Sequence, residues 1–391
     1  MTHASPLQAA PRTPAEAAPR TPAEAAPPGA SAVLSINPGT TSTKFGLFTR
    51  THEIFSRTLR HGDDELERFR NRPMLDRLEY RAQLVETVLQ QAGLLPGDAA
   101  ARPWIATAGR GGLLPPLTCG TYLVDEAMLA ELRRAPLGEH ASNLGAPLAL
   151  RFARAAGVNA YIVDPVTVDE WQPCARLTGS PLVERTCIGH WLNTKAVAKR
   201  YAREQGSAYA GLRLIVVHMG SGITVSAHRD GRVIDSNSIE EGPFGPDRTG
   251  SLPVRALLKL CARGGLSAAG LDRHVFGDGG LFAYLGTRDL IEAEHRIEAG
   301  DARAAAVFEA MVYQIAKETG AMAAVLAGRV DAVLLTGGMA HSARLLELLR
   351  PQIEWIAPIA VYPGEDELRA LADGVFRVLD GEEEAQRLRV E

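Results

Sequence analysis

Twice along this chain an apolar strand breaks at a turn of glycine and polar residues and then resumes, and few architectures accommodate both copies. The first copy is an apolar run at 33–36, then Asn37-Pro38-Gly39 and four hydroxyl residues at 40–43, then a run at 44–48 in which Phe45, Leu47 and Thr49 alternate with Lys44, Gly46 and Phe48. Strand, polar turn and strand predict a β-hairpin. The second copy is a strand at 214–217, a turn at 218–222 and a return at 223–227, followed by a tight turn at 229–232 and a third strand at 233–235. Each copy is followed by strands that run into a turn. Strands at 104–108 and 332–335 meet Gly109-Arg110-Gly111-Gly112 and Thr336-Gly337-Gly338, and a strand at 160–163 ends at Asp164-Pro165. Apolar residues at helical spacing predict helices over 75–92, 148–156, 304–326, 343–349 and 368–379. The economical solution is a duplicated α/β fold of two halves, with the two turns facing each other across a cleft as a phosphate clamp.

A chain of 391 residues suits two domains. Its net charge of −4 and pI near 6.2 give no electrostatic case for nucleic acid or an anionic membrane as partner. Its apolar runs are far shorter than the ~20 residues of a membrane span. Four separated cysteines, Cys119, Cys174, Cys187 and Cys261, form no metal or disulfide pattern, and they fit a reducing cytoplasm. Residues 1–30 are different material: the octapeptide PRTPAEAA occurs twice in succession, and 7 of the 24 prolines lie there without an aromatic residue. Such a segment is expected to be a disordered tail, because it has too little apolar surface to offset its ordering entropy.

The turn at 37–44 offers hydroxyl and backbone donors plus one cation, Lys44, around a compact anion; this suits a phosphoryl group. The same composition also suits an ordinary polar hairpin turn. No Walker signature is present, since no GK[ST] opens a helix here. His218-Met219-Gly220-Ser221-Gly222 repeats the device, and Thr336-Gly337-Gly338 is a third place where a nucleotide could approach the backbone.

The chain resembles the butyrate kinases of the acetokinase family, within the superfamily of acetate and sugar kinases, heat-shock ATPases and actin. The resemblance rests on INPGTTSTK (36–44), GRGGLL (109–114), GEHASNLG (138–145), HMGSGIT (218–224), EGPFGPDRTGSLP (241–253) and LTGGMAHS (335–342), and it runs from about residue 31 to residue 382. It implies a duplicated actin-like ATPase fold of the ribonuclease H-like kind. Residues 31–165, joined by a final helix in 366–391, would form one lobe, and residues 166–365 the other, with the nucleotide site. It implies reversible, Mg²⁺-dependent transfer of a phosphoryl group from ATP to butanoate, giving butanoyl phosphate and ADP. A short-chain acid is ionised near neutral pH, so the nucleophile needs cations rather than a general base.

By the resemblance, Arg110 and Arg248 hold the carboxylate, and Arg248 also holds the transferring phosphoryl. His190 donates to that phosphoryl, Asp164 acts through the metal or its water, and His140 joins the substrate set. Asn37, Thr40, Ser42 and Lys44 form the first phosphate region, and His218, Gly220, Ser221 and Gly222 the second. Gly337 and Gly338 face the adenosine. Asn37 and one acid of Glu365-Asp366-Glu367 meet the metal: ungapped matching selects Asp366, and a one-residue slip selects Glu367. Two departures, Gly112 and Gly189 where relatives carry bulk, are expected to enlarge the alkyl pocket, with Trp191 refilling part of it. A branched-chain acid kinase fits the same motifs, and the fold also serves nucleotide switches, which have no need of the two cleft arginines. A homo-oligomer is the family expectation.

Overall fold

The computed structural model describes residues 31–62, 67–70, 72–95, 104–264 and 267–389; the tail expected at 1–30 lies outside the described residues. Its backbone is two sheets. The first contains β1 (Val33–Pro38), β2 (Ser42–Phe48), β3 (Glu53–Arg60), β4 (Ala106–Arg110), β5 (Thr121–Leu123) and β6 (Asn159–Val163), in the order β3-β2-β1-β4-β6-β5. The second contains β7 (Leu214–Met219), β8 (Ile223–Arg229), β9 (Arg232–Ser236), β10 (Ala332–Gly337) and β11 (Ile359–Pro363), in the order β11-β10-β7-β8-β9. β1 pairs antiparallel with β2 and parallel with β4, β2 pairs antiparallel with β3, and β4 parallel with β6. The second sheet repeats every relation: β7 pairs antiparallel with β8 and parallel with β10, β8 antiparallel with β9, and β10 parallel with β11. The duplication is therefore one of topology, with β5 as an extra edge on the first sheet.

β1 and β7 are buried at every residue, which is why they read as continuous apolar runs: each is a central strand covered on both faces. On the first sheet, α1 (Leu78–Gln91), α2 (Glu126–Arg134) and α3 (Gly145–Ala156) supply one layer. α4 (Trp191–Glu204) follows. The second lobe then inserts α5 (Val254–Ala262), α6 (Ala268–Val275), α7 (Gly280–Leu285) and α8 (Leu290–Glu298) before the long α9 (Ala302–Val325). Asp301 caps α9 by accepting from the Arg303 and Ala304 amides, and Ala304, Phe308, Met311, Ile315 and Met322 make its buried stripe. α10 (Ala343–Ile353) and α11 (Glu367–Leu379) complete the fold.

Two helices exchange lobes. α4 follows the last parallel strand of the first sheet, yet Val197 and Ala198 pack on Leu214, Val216, Ala332 and Leu334 of the second. α11 follows the last strand of the second sheet, yet Leu371, Val375 and Phe376 pack on Val33, Ala106 and Val163 of the first. The two helices touch where they cross.

A buried ion pair ties α4 to both lobes. Lys195 on α4, fully buried, donates to Glu170 at 2.6 Å. Glu170 also accepts from the Cys119 amide of the first lobe (3.3 Å) and the Val233 amide of β9 (3.1 Å). Burial works against both charges, but the surrounding anionic groups hold Lys195 protonated above the ordinary lysine range, and Lys195 with these donors holds Glu170 below the usual carboxylate range. No helix of the described residues is long and apolar enough to cross a membrane.

The strand expected at 104–108 begins instead at Ala106, because Trp104 turns into the core edge-on to Phe152 (6.4 Å between ring centroids). The helix expected at 75–92 opens with a 3₁₀ turn at Met74–Arg77. β3, β5, β11, α2 and helices α4 to α8 were not foreseen from the sequence. Replacing Lys195 by Met leaves Glu170 as an uncompensated buried charge and is expected to cost about 3–5 kcal/mol, read from denaturant midpoints, whereas the double variant Lys195→Met/Glu170→Leu recovers most of it. A single variant as stable as wild type would show that the pair does not lock the crossing.

Candidate active site

The cleft is assembled from the two hairpin turns and the two exchanged helices. In the first turn Asn37 lies opposite Lys44, and the Gly39 amide donates to the Ser42 carbonyl at 2.7 Å. Asn37 is buried, whereas Thr40 and Lys44 are exposed to the cleft side. Glu367, in the first turn of α11, accepts from both the Asn37 amide and the Arg110 guanidinium, Arg110 being the last residue of β4.

The three acids at 365–367 diverge. Glu365 Oε1 lies 3.2 Å from His218 Nε2, and this contact, with Lys44 and Arg110 nearby, holds its carboxyl down at about 2 despite burial. Asp366 turns away into a separate depression of about 550 Å³ that it shares with Arg200, Tyr362 and Arg369. There burial and the like charges of Glu53 and Asp373 push its carboxyl above the usual range. As the chain enters α11, successive side chains fan apart, and of the two acids expected at the metal, Glu367 rather than Asp366 meets Asn37.

The second turn places His218, fully buried, across from Thr224. His218 Nδ1 is 2.8 Å from Asn193 Oδ1 on α4. His190, just before α4, stacks on His218 with ring centroids 4.0 Å apart and planes 11° from parallel. Its Nδ1 meets Thr224 Oγ1 at 2.8 Å. A Cβ on Gly222 would fall 2.7 Å from Arg248 Nη1 and 3.3 Å from His190 Cε1, so glycine here lets the guanidinium lie directly on the turn. Burial lowers the Arg248 pKa, and Asp247 at 4.0 Å opposes that shift.

Burial, the neighbouring His218 and the charges of Arg110 and Arg248 hold His190 well below the usual histidine range. Burial and the same two arginines lower His140. The Ser142 amide donates to His140 Nδ1 at 3.2 Å, so in the neutral ring the proton sits on Nε2. The cleft thus combines two arginines with two imidazoles that add donors without adding charge. Beside it, Lys44, Gly220, Ser221, Gly338, Glu365 and Arg288 are among the residues that line a cavity of about 520 Å³, large enough for a nucleotide. Gly337, at φ +92°, carries the backbone from β10 into this wall.

Asp164 stands apart. It adopts a left-handed φ of +39° beyond β6, and its carboxylate accepts from the Gly120 amide at 2.8 Å. No hydrogen bond or ion pair among the described residues joins it to Arg110, Arg248 or His190. The expected pocket enlargement is corrected. A Cβ on Gly112 would lie 2.6 Å from Asn143 Oδ1 and 2.7 Å from Asn143 Cα, and one on Gly189 would lie 2.7 Å from the Trp191 indole. Both spaces are filled by protein, so neither glycine opens room for an alkyl chain. Asn193, Thr224, Asp247 and Arg288 were missed in the sequence; Thr224, last residue of the 218–224 motif, and Asp247, inside the 241–253 motif, carried a signal, and Asn193 and Arg288 carried none.

The description "Acetokinase family" belongs to the family model that matches residues 187–355. Butyrate kinase 2 of Clostridium acetobutylicum is 44% identical over 359 residues, covering 91% of this chain and 99% of that protein. Among solved structures, acetate kinase of Porphyromonas gingivalis superposes with a TM-score of 0.72 at 19% identity, over 90% of this chain and 100% of that one. A propionate kinase of Francisella tularensis gives 0.69 at 16% identity, over 88% and 98%.

The electrostatics of the cleft give a titration to measure. A histidine whose pKa is depressed stays neutral as pH falls past 6.5 and protonates only lower. The ¹⁵N resonances of His190 in the free protein are expected to report a neutral ring at pH 6, with no inflection between pH 6 and 8. A midpoint at or above 6.5 would contradict the electrostatics described for the two arginines.

Proposed function

The chain belongs to the acetokinase family, and from that premise we propose that it is a butyrate kinase, transferring the γ-phosphoryl of ATP reversibly to the carboxylate of butanoate. The observation that carries this reading is the convergence of Arg110, Arg248, His140 and His190 on one side of a nucleotide-sized cavity. Two anions must meet there, and both repel each other. Arg110 and Arg248 offer planar forks to the carboxylate, and Arg248, lying on the Gly222 turn, also reaches the transferring phosphoryl. In the tautomer whose Nδ1 accepts from the Thr224 hydroxyl, 2.8 Å away, the His190 proton sits on Nε2 and is available to a phosphoryl oxygen. The carboxylate is already ionised, so the acceptor oxygen attacks in line and no general base is required.

Asn37 and Glu367 are neighbouring side chains, joined by the hydrogen bond that the Asn37 side-chain N–H donates to Glu367, and the amide oxygen and carboxylate they carry are hard donors of the kind that suits Mg²⁺ keeping several waters and phosphate oxygens. These two residues would hold the ion, and the ion would neutralise charge on the nucleotide phosphates. The turn at 37–44 and Gly220–Gly222 hold the phosphates from opposite lobes, and Gly337 and Gly338 face the adenosine. Asp164 orients the turn at Gly120, one residue beyond the Val163 that pairs with Arg110; it acts as a positioning group. Closing the lobes around both substrates excludes water that would otherwise hydrolyse ATP.

Hydroxylamine trapping of the acyl phosphate tests this directly. With Mg-ATP, the protein is expected to convert butanoate to its hydroxamate faster than acetate, propionate, isobutyrate or isovalerate. Arg248→Ala should lower kcat by about 10²–10³-fold, and Arg110→Ala should chiefly raise KM for the acid. Protein that binds ATP but makes no hydroxamate from any of the five acids would overturn the proposal.

A further inference from the structure

We propose that Arg81, which no motif singles out, is a positioning residue that sets the first phosphate turn for nucleotide; the inference rests on reading that turn as a phosphate site. Arg81 sits on α1 and is completely buried, beside Ala82, Val85 and Leu89. Its Nη1 donates to the Gly39 carbonyl at 2.7 Å, and its Nη2 donates to the Thr40 carbonyl at 3.2 Å. The next carbonyl, Thr41, is taken by the His61 amide at 2.9 Å. His61 Nε2 in turn meets Thr43 Oγ1 at 2.9 Å, and Thr43 Oγ1 lies 3.5 Å from Arg81 Nη1. Three consecutive carbonyls are thus held from the protein side.

Peptide planarity converts this into a statement about donors. In a trans peptide the carbonyl and the following N–H point in opposite directions, and this chain has no cis bond among its described residues. Carbonyls 39, 40 and 41 directed at Arg81 and His61 therefore aim the amides of Thr40, Thr41 and Ser42 away from them. Thr40, Thr41 and Lys44 are exposed, and Lys44 lines the nucleotide cavity. A row of amides on one face is an anion-binding concavity, and a buried cation directly beneath it favours the same charge. The planar fork explains the residue type: two carbonyls one peptide apart need two divergent donors on one rigid group. Lysine retains the charge but not the fork.

The test is equilibrium binding, independent of turnover, of ATP and of adenosine to wild type, Arg81→Met and Arg81→Lys, each checked by circular dichroism and thermal melting. Arg81→Met is expected to weaken ATP at least tenfold while adenosine changes less than twofold, and Arg81→Lys should fall between. An Arg81→Met variant that binds ATP as wild type does, or one that weakens ATP and adenosine equally, would overturn the proposal. Should Arg81→Met not fold, Arg81→Lys decides on the same ratio: selective loss of ATP supports the role and equal loss refutes it. Tight ATP binding without acyl phosphate formation would instead count against the kinase reading alone.

Discussion

The cleft exists because two helices pack on the sheet that did not make them. α4 leaves the first lobe and covers the second sheet, and α11 makes the return exchange. His190 and Asn193 are carried to the second turn at the start of α4, while Glu367 is carried to the first lobe at the start of α11. Neither lobe alone would own a complete site. Glu170 and Lys195 fasten the exchange at its centre, since one carboxylate binds an amide from each lobe and the ammonium of α4.

Charge in the cleft is arranged by depth. Cations that must meet anions, Lys44, Arg110 and Arg248, stand at or near the open side, while the stacked imidazoles lie behind them. Depressing the His190 pKa keeps the ring a neutral donor, which avoids a third buried positive charge beside the two arginines. Glu367 is the balancing element: it meets Arg110 on one side and Asn37 on the other, so both share one anion.

Both hairpins, and the strands at 160–163 and 332–335, were legible because buried central strands leave continuous apolar runs between glycine turns. The edge strands were not. β3 lacks a strict alternation, with three half-buried residues in a row at 54–56, and β5 is three residues long, so neither has a periodicity that stands out. α4 begins with Trp191-Leu192-Asn193-Thr194, where polar residues face a functional partner instead of solvent, which blurs its amphipathic pattern. The site was legible through motifs in the turns, and opaque where it depends on direction: one step along the chain separates Asp366 from Glu367, and only the helix start decides which faces Asn37. The alkyl-pocket reading of Gly112 and Gly189 failed for a related reason, since a missing side chain shows as space only if no neighbour fills it.

The central claim is that the acid itself attacks phosphorus between Arg110 and Arg248, with no protein group taking the phosphoryl on the way. Stereochemical analysis with ATP made chiral at the γ-phosphorus by oxygen isotopes tests it most directly. A single in-line transfer to butanoate predicts inversion of configuration in the acyl phosphate. Retention would require two displacements through a phosphorylated residue, and would contradict the account.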